Sequence, residues 1–200
     1  MSEVWLDGEQ VDFQGPAPSS TSEVWAVLEQ YLGGVDRVVA EFLVDDEEWN
    51  SEGGEVTAYQ VVRAQSRSQE ENLALIANAL IDQKDVLLGA WREVSLKVLS
   101  TGWESFQQEA IGVLNVTQPL LENCGLLTQF ANARGLGWED SLQQASQGME
   151  GALGIYMDAF EAADCVALSD CAAVTMTEAL GLAYDGLALI GGEASEGEVS

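Results

Sequence analysis

Four consecutive carboxylates, Asp45, Asp46, Glu47 and Glu48, precede Trp49 in the stretch FLVDDEEWNSEGGEV at residues 42–56. Clustered carboxylates are the raw material of a hard-cation site. A calcium loop of the EF-hand kind sets oxygen ligands on alternate residues, a glycine at the sixth position and a glutamate at the twelfth. Counted from Asp45, the third position is Glu47, but the fifth is Trp49 and the sixth Asn50. The pattern fails. Adjacent side chains of an extended segment also point to opposite faces, so four neighbouring acids need not converge on one ion. The stretch reads as a solvated acidic connection with Trp49 packing back onto a sheet, and Asp45 to Trp49 as a secondary contact for a protein partner.

Other chemistry narrows quickly. The chain has no histidine, which removes Ser-His-Asp and Cys-His arrangements, the H-E-x-x-H zinc motif and the Glu-x-x-His pair of di-iron bundles. Lys84 and Lys97 are the only lysines, and no glycine-rich phosphate loop accompanies them. Cys165 and Cys171 lie about 240° apart round a helix, too far to share a metal from one face. With Cys124 they make three, an odd number that closes no intrachain disulfide framework and fits a reducing compartment. Glu161, Asp164 and Asp170 are paired carboxylates near a helix boundary that could divide acid and base roles. Among 34 acidic residues such pairings arise by chance. The expectation is a protein that is not an enzyme and holds no metal or cofactor.

Charge sets the class of partner. Against 34 acidic residues stand 7 basic ones, for a net charge of -27. Such a balance repels nucleic acids and anionic membranes and attracts cations or basic proteins. Residues 1–66 carry 14 acids and 2 bases, residues 67–137 carry 8 and 5, and residues 138–200 carry 12 and none. Both ends are anionic around a nearly balanced middle, a distribution that salt adaptation or an acidic docking face would each produce. With 47% hydrophobic residues and six tryptophans, the chain still has the means to bury a core. MSEVWLDGEQ lacks the basic and apolar regions of a signal peptide. The most apolar segment, residues 166–192, is interrupted by Asp170, Glu178 and Asp185. A cytoplasmic protein without a membrane span is expected.

The elements that must position these residues begin with VWLDGEQVDF, two short runs about Asp7-Gly8, a pair suited to a two-residue hairpin turn with positive φ at both positions. SEVWAVLEQYL follows, with Val24, Val27, Leu28, Tyr31 and Leu32 at helical spacing between Ser20–Ser22 and Gly33-Gly34. RVVAEFLVD and EVTAYQVVRA read as strands on either side of the acidic connection. Strand, strand, helix, strand, strand within residues 1–66 resembles the ubiquitin-like β-grasp fold. The resemblance covers this first third of the chain at the level of topology and brings no function with it.

From Ser68 the period changes to helical. Ser68-Gln69-Glu70-Glu71 is a capping box, ahead of a stripe of Leu73, Ile76, Leu80, Leu87, Trp91, Val94 and Val98, with Gly102 as punctuation. A second stripe runs from Trp103 through Phe106, Val113 and Leu120 to Leu127, and Pro119 predicts a kink or division near residues 115–118. Ser141 and Gln144 can cap a third helix carrying Leu142, Met149, Tyr156 and Phe160. Gly148, Gly151 and Gly154 weaken it by about 1 kcal/mol each and suggest close packing or mobility. The last helix, residues 167–190, is apolar round most of its circumference, so more than one face must be covered. Val166, Val174, Leu180, Tyr184 and Leu187 are its candidate contact residues.

The fold expected is therefore α+β: a small ββαββ module over residues 1–66, an antiparallel helical bundle of about four long helices over 67–190, and a disordered acidic tail over 191–200. The function expected is non-catalytic protein interaction, as an adaptor or assembly factor that meets a basic partner or a second copy of itself. The alternative is an acidic inhibitor or immunity-type protein that neutralises a basic target.

Overall fold

A computed structural model describes residues 2–13, 15, 18–49, 56–101 and 103–196. Residues 50–55 of the acidic stretch, Gly102 and the last residues 197–200 lie outside these. The protein is α+β, with a mixed sheet followed mostly by helices, and the chain divides into two compact units between Asn72 and Leu73.

In the first unit the strands are β1 (Glu3–Leu6), β2 (Glu9–Gln10), β3 (Arg37–Val44), β4 (Glu47–Glu48) and β5 (Val61–Ser68), with helix α1 (Thr21–Gly33) between β2 and β3. The sheet order is β2-β1-β5-β3-β4. The outer strands of the chain, β1 and β5, pair in parallel at the centre, and the remaining pairs are antiparallel. Asp7 and Gly8 both adopt positive φ, 51° and 82°, and close the first hairpin as their residue types require. The Asp7 carboxylate also accepts from the Ser66 amide (2.7 Å) and the Ser66 hydroxyl (2.6 Å), tying that hairpin to β5. Ser20 caps α1 by accepting from the Glu23 amide, and Glu23 answers by accepting from the amide and hydroxyl of Ser19. Val24, Leu28 and Leu32 are buried on α1, and Val24 and Leu28 join Val4, Phe42, Val44, Tyr59, Val62 and Ala64 in one core. Val27 and Tyr31, expected in the buried stripe, are exposed. One α-helix lying on a sheet covers only part of an apolar arc that wide.

The second unit, with the helix that leads into it, holds α2 (Gln69–Ile81), α3 (Lys84–Ser100), α4 (Trp103–Arg134), α5 (Glu139–Glu161), α6 (Cys165–Asp170) and α7 (Met176–Glu196). The capping box at α2 forms as written, with the Glu71 amide donating to the Ser68 hydroxyl (3.1 Å) and the Ser68 amide to the Glu71 carboxylate (2.8 Å). The stripe from Leu73 to Val98 is not one helix. It breaks at Asp82-Gln83, because an apolar residue is due at 83 or 84 between Leu80 and Leu87 and those positions hold Gln83 and Lys84. α4, by contrast, runs unbroken past Pro119 for 32 residues. The proline lacks one helical donor, and the surrounding face is held by Phe106, Ala110, Val113, Leu120, Cys124 and Leu127, all buried. Inside that face Trp91 Nε1 donates to Thr117 Oγ1 (3.0 Å), and the Thr117 hydroxyl donates to the Val113 carbonyl (2.7 Å). Trp91 meets Tyr156 edge to face at 5.0 Å, joining α3, α4 and α5 at one point.

Three further expectations change. α5 starts at Glu139 behind Trp138, with no side-chain cap, and Ser141 lies inside the helix. Of the α5 glycines Gly148 lies at ordinary contact range of α7, a Cβ there falling 3.8 Å from Ala179 Cβ, while one at Gly151 or Gly154 would meet nothing within 4 Å; the closest approach is at Gly186 of α7, where a Cβ would lie 2.8 Å from Leu142 Cδ2. The last helix contains a wide turn at Cys171–Thr175, where the Met176 amide reaches back to the Cys171 carbonyl, and its backbone stays helical to Glu196, beyond the expected start of the tail. The wide turn follows from spacing. Leu168, Ala172, Met176 and Leu180 are all buried, and three successive steps of four residues would carry an ideal α-helix about 120° off the core. A turn closed one residue later absorbs most of that drift.

Candidate functional site

The acidic stretch is built as a turn. Asp45 and Asp46 take positive φ, 50° and 70°, which lets Val44 pair with Glu47 and Leu43 with Glu48. Glu47 and Glu48, expected in a connection without strands, thus form a short edge strand. The Asp45 carboxylate accepts from the amides of Gln60 (2.9 Å) and Val61 (2.8 Å), and Asp46 pairs with Arg63. Both carboxylates are committed to holding the turn against β5, while Glu47 and Glu48 are exposed. Trp49 packs back, as its residue type suggested, with its ring centroid 5.1 Å from Phe42 and 5.9 Å from Trp25. Among the described residues no group of three or more Cys, Asp or Glu is placed to hold a metal ion.

The candidate contact residues of the last helix separate into two sets. Leu180, Tyr184 and Leu187 are buried in the unit's own core, against the expectation that they offer a surface. Burial pushes the Tyr184 hydroxyl up to about 12, and Lys84 Nζ sits 5.5 Å over its ring. Val166 and Val174 are exposed, at 63% and 54%, and the same outer side carries Leu182 at 45% and Leu189 at 48%. Asp170, Glu178 and Asp185 are exposed between them, and residues 138–200 contain no lysine or arginine to offset these charges. The outer side is thus an apolar stripe ruled with acids. By length and composition Cys165–Gly191 is also long and apolar enough to cross a bilayer, and in this structure its inner side makes the core.

The remaining chemical candidates serve the fold. Asp164 accepts from the amides of Val166 (3.1 Å) and Ala167 (3.0 Å) as the cap of α6. Burial raises the Cys124 thiol to about 11 and also raises Cys171, whose Sγ lies 3.3 Å from the Ala152 carbonyl. Neither is poised as a thiolate. Lys97 bridges Glu93 (2.7 Å) and Glu109 (3.2 Å), clamping α3 to α4.

A further feature of the first unit carries no sequence motif. An open groove of about 500 Å³ lies between α1 and the β1–β2 hairpin, walled by Leu6, Val11, Phe13, Val27 and Tyr31. Its only signal in the sequence is the surplus of apolar positions on α1, which exceeds what a sheet can cover. Compared with known protein families, with curated proteins and with solved structures, the chain matches none.

Proposed function

We propose that the protein is a non-catalytic protein-interaction factor, an adaptor or assembly protein that docks a basic partner on the outer side of its C-terminal helix. The observation that carries this reading is the stripe of Val166, Val174, Leu182 and Leu189, all substantially exposed, ruled by Asp170, Glu178 and Asp185. Apolar side chains held in water at this density favour a covering surface, and the acids between them select its charge. A second copy packed here would set anionic stripes against each other at a cost in repulsion, whereas an amphipathic element with interleaved Lys or Arg meets both demands. The three cysteines are unpaired, which supports a reducing compartment, the cytoplasm.

The same reading takes the first unit as a β-grasp-like module, supported by the element order and by the parallel pairing of β1 with β5 at the centre of the sheet. It takes the helices as an antiparallel bundle. Supporting this, Ser95 of α3 meets Ser169 while Lys84 of α3 meets Tyr184, so position rises along one element as it falls along the other.

The test is titration of the protein with a cationic amphipathic helical peptide at low and high salt, alongside Val174→Glu and Leu182→Glu and with light scattering for mass. Binding that weakens with salt and is lost in both variants is expected. Equal binding by the variants, or a wild-type dimer that the variants abolish, overturns the choice of partner.

A further inference from the structure

The groove beside β2 has two properties that belong together. The first is a free backbone edge. β2 is the outermost strand, bonded to β1 alone. The Val11 amide donates to the Val4 carbonyl (2.8 Å), so Val11 and Glu9 turn their main-chain groups toward β1. Antiparallel pairing alternates. Gln10 therefore presents its N–H and C=O groups outward, and Asp12, two residues on and beyond the end of β2, falls at the spacing an added strand would use if the alternation runs on past Val11. The second property is the apolar trough along that edge, in which Val27 and Tyr31 of α1 stand exposed at 42% and 63% opposite Val11 and Phe13.

Both edge strands are short and exposed, β4 as Glu47–Glu48 and β2 as Glu9–Gln10, and what distinguishes the β2 edge is the apolar trough beside it. Its charge is also one-sided: Glu9 and Asp12 lie on the lining, and no lysine or arginine does.

We infer that this groove is a docking site for an extended segment of another protein, which adds a strand to β2 with alternate apolar side chains in the trough and Lys or Arg at its flanks. Main-chain bonds to Gln10 and Asp12 supply register, the pocket between Val27, Tyr31 and Phe13 selects apolar side chains at every second position, and Glu9 and Asp12 select the positive flanks. A second copy is disfavoured as the occupant, because its own β2 would bring Glu9 and Asp12 against the same two acids. This site lies in the first unit and stands independently of the C-terminal stripe.

The experiment uses the full chain and two labelled peptides of alternating valine and threonine, one flanked by lysines and one by glutamates. Affinity is read by fluorescence anisotropy and the bound position by amide shifts. The lysine-flanked peptide binds roughly tenfold tighter at low salt, with the gap closing at high salt. Tyr31→Ala and Val27→Ala, both at exposed positions, weaken binding at least about fivefold. Asp12→Pro removes one outward donor, spares the β1 pairing and abolishes binding without moving the unfolding midpoint. The inference is overturned if the two peptides bind alike, if Tyr31→Ala binds as the wild type does, or if the shifts fall away from residues 9–13. Concentration-dependent dimerisation through β2 in place of peptide binding overturns it as well.

Discussion

Replacing Gly186 by alanine sets two effects of known size against each other. Alanine gains about 1 kcal/mol over glycine within a helix. The new Cβ, however, lies 2.8 Å from Leu142 Cδ2, and Leu142 is fully buried, so its side chain must leave its rotamer in a closed core. Overpacking of this kind costs about 1–3 kcal/mol. The net expectation is a loss of about 0–2 kcal/mol. At Gly151 and Gly154, where a Cβ meets nothing within 4 Å, only the gain applies, and alanine stabilises by about 1 kcal/mol at each. Urea unfolding at fixed salt, with midpoints and slopes compared across the three variants, reads the difference. A second arm isolates the cause. In a Leu142→Ala background the obstructing methyl is gone, and Gly186→Ala there should recover its gain of about 1 kcal/mol. If Gly186→Ala raises the midpoint as much as Gly151→Ala does, or if Leu142→Ala leaves its effect unchanged, the close approach of α5 and α7 is not what places glycine at 186.

Three further outcomes are expected. Thr117→Val leaves the buried Trp91 N–H without its acceptor and should cost about 1–3 kcal/mol in chemical unfolding, whereas Thr117→Ser keeps most of the stability. Partial burial raises the Asp7 carboxyl, but the bonds from Ser66 and the nearby Arg37 outweigh it and hold its pKa below the ordinary value. The stability it contributes is therefore complete above about pH 4 and lost as pH falls through the depressed value, so the wild type and Asp7→Asn should differ at neutral pH and converge in acid. Deleting Val174 converts the wide turn to an ordinary one with the spacing of buried residues intact. It should lower the thermal midpoint less than deleting Glu178, which rotates everything beyond it by about 100°.

Local signals proved the most legible in this sequence. Asp7-Gly8, Ser20 and the Ser68–Glu71 box each name a geometry that a few neighbouring residues decide, and each is found. The buried faces of α4 and α5 followed from apolar spacing, with Phe106, Val113, Leu142 and Tyr156 inside. What could not be read depends on partners distant in the chain. Asp45 looked like one of four equivalent surface acids until the amides of Gln60 and Val61 were brought to it. Leu180, Tyr184 and Leu187 could not be told from Val174 and Leu182 by type; only the neighbours that cover one side of α7 separate them. Pro119 argued for a kink or a division, and α4 runs on past it undivided, whereas Gln83-Lys84 argued for a break that the seven-residue step from Leu80 to Leu87 concealed.

Most of the chain's few cations have internal employment: Arg37 at Asp7, Arg63 at Asp46, Lys97 between two glutamates, Lys84 over Tyr184 and Arg134 over the Phe130 ring. Little positive charge remains to balance the exposed carboxylates, so the molecule leaves that neutralisation to dissolved ions. Its folded state should tighten as electrolyte is added and loosen on dialysis into pure water, in the manner of a polyelectrolyte whose counterions are part of its working structure.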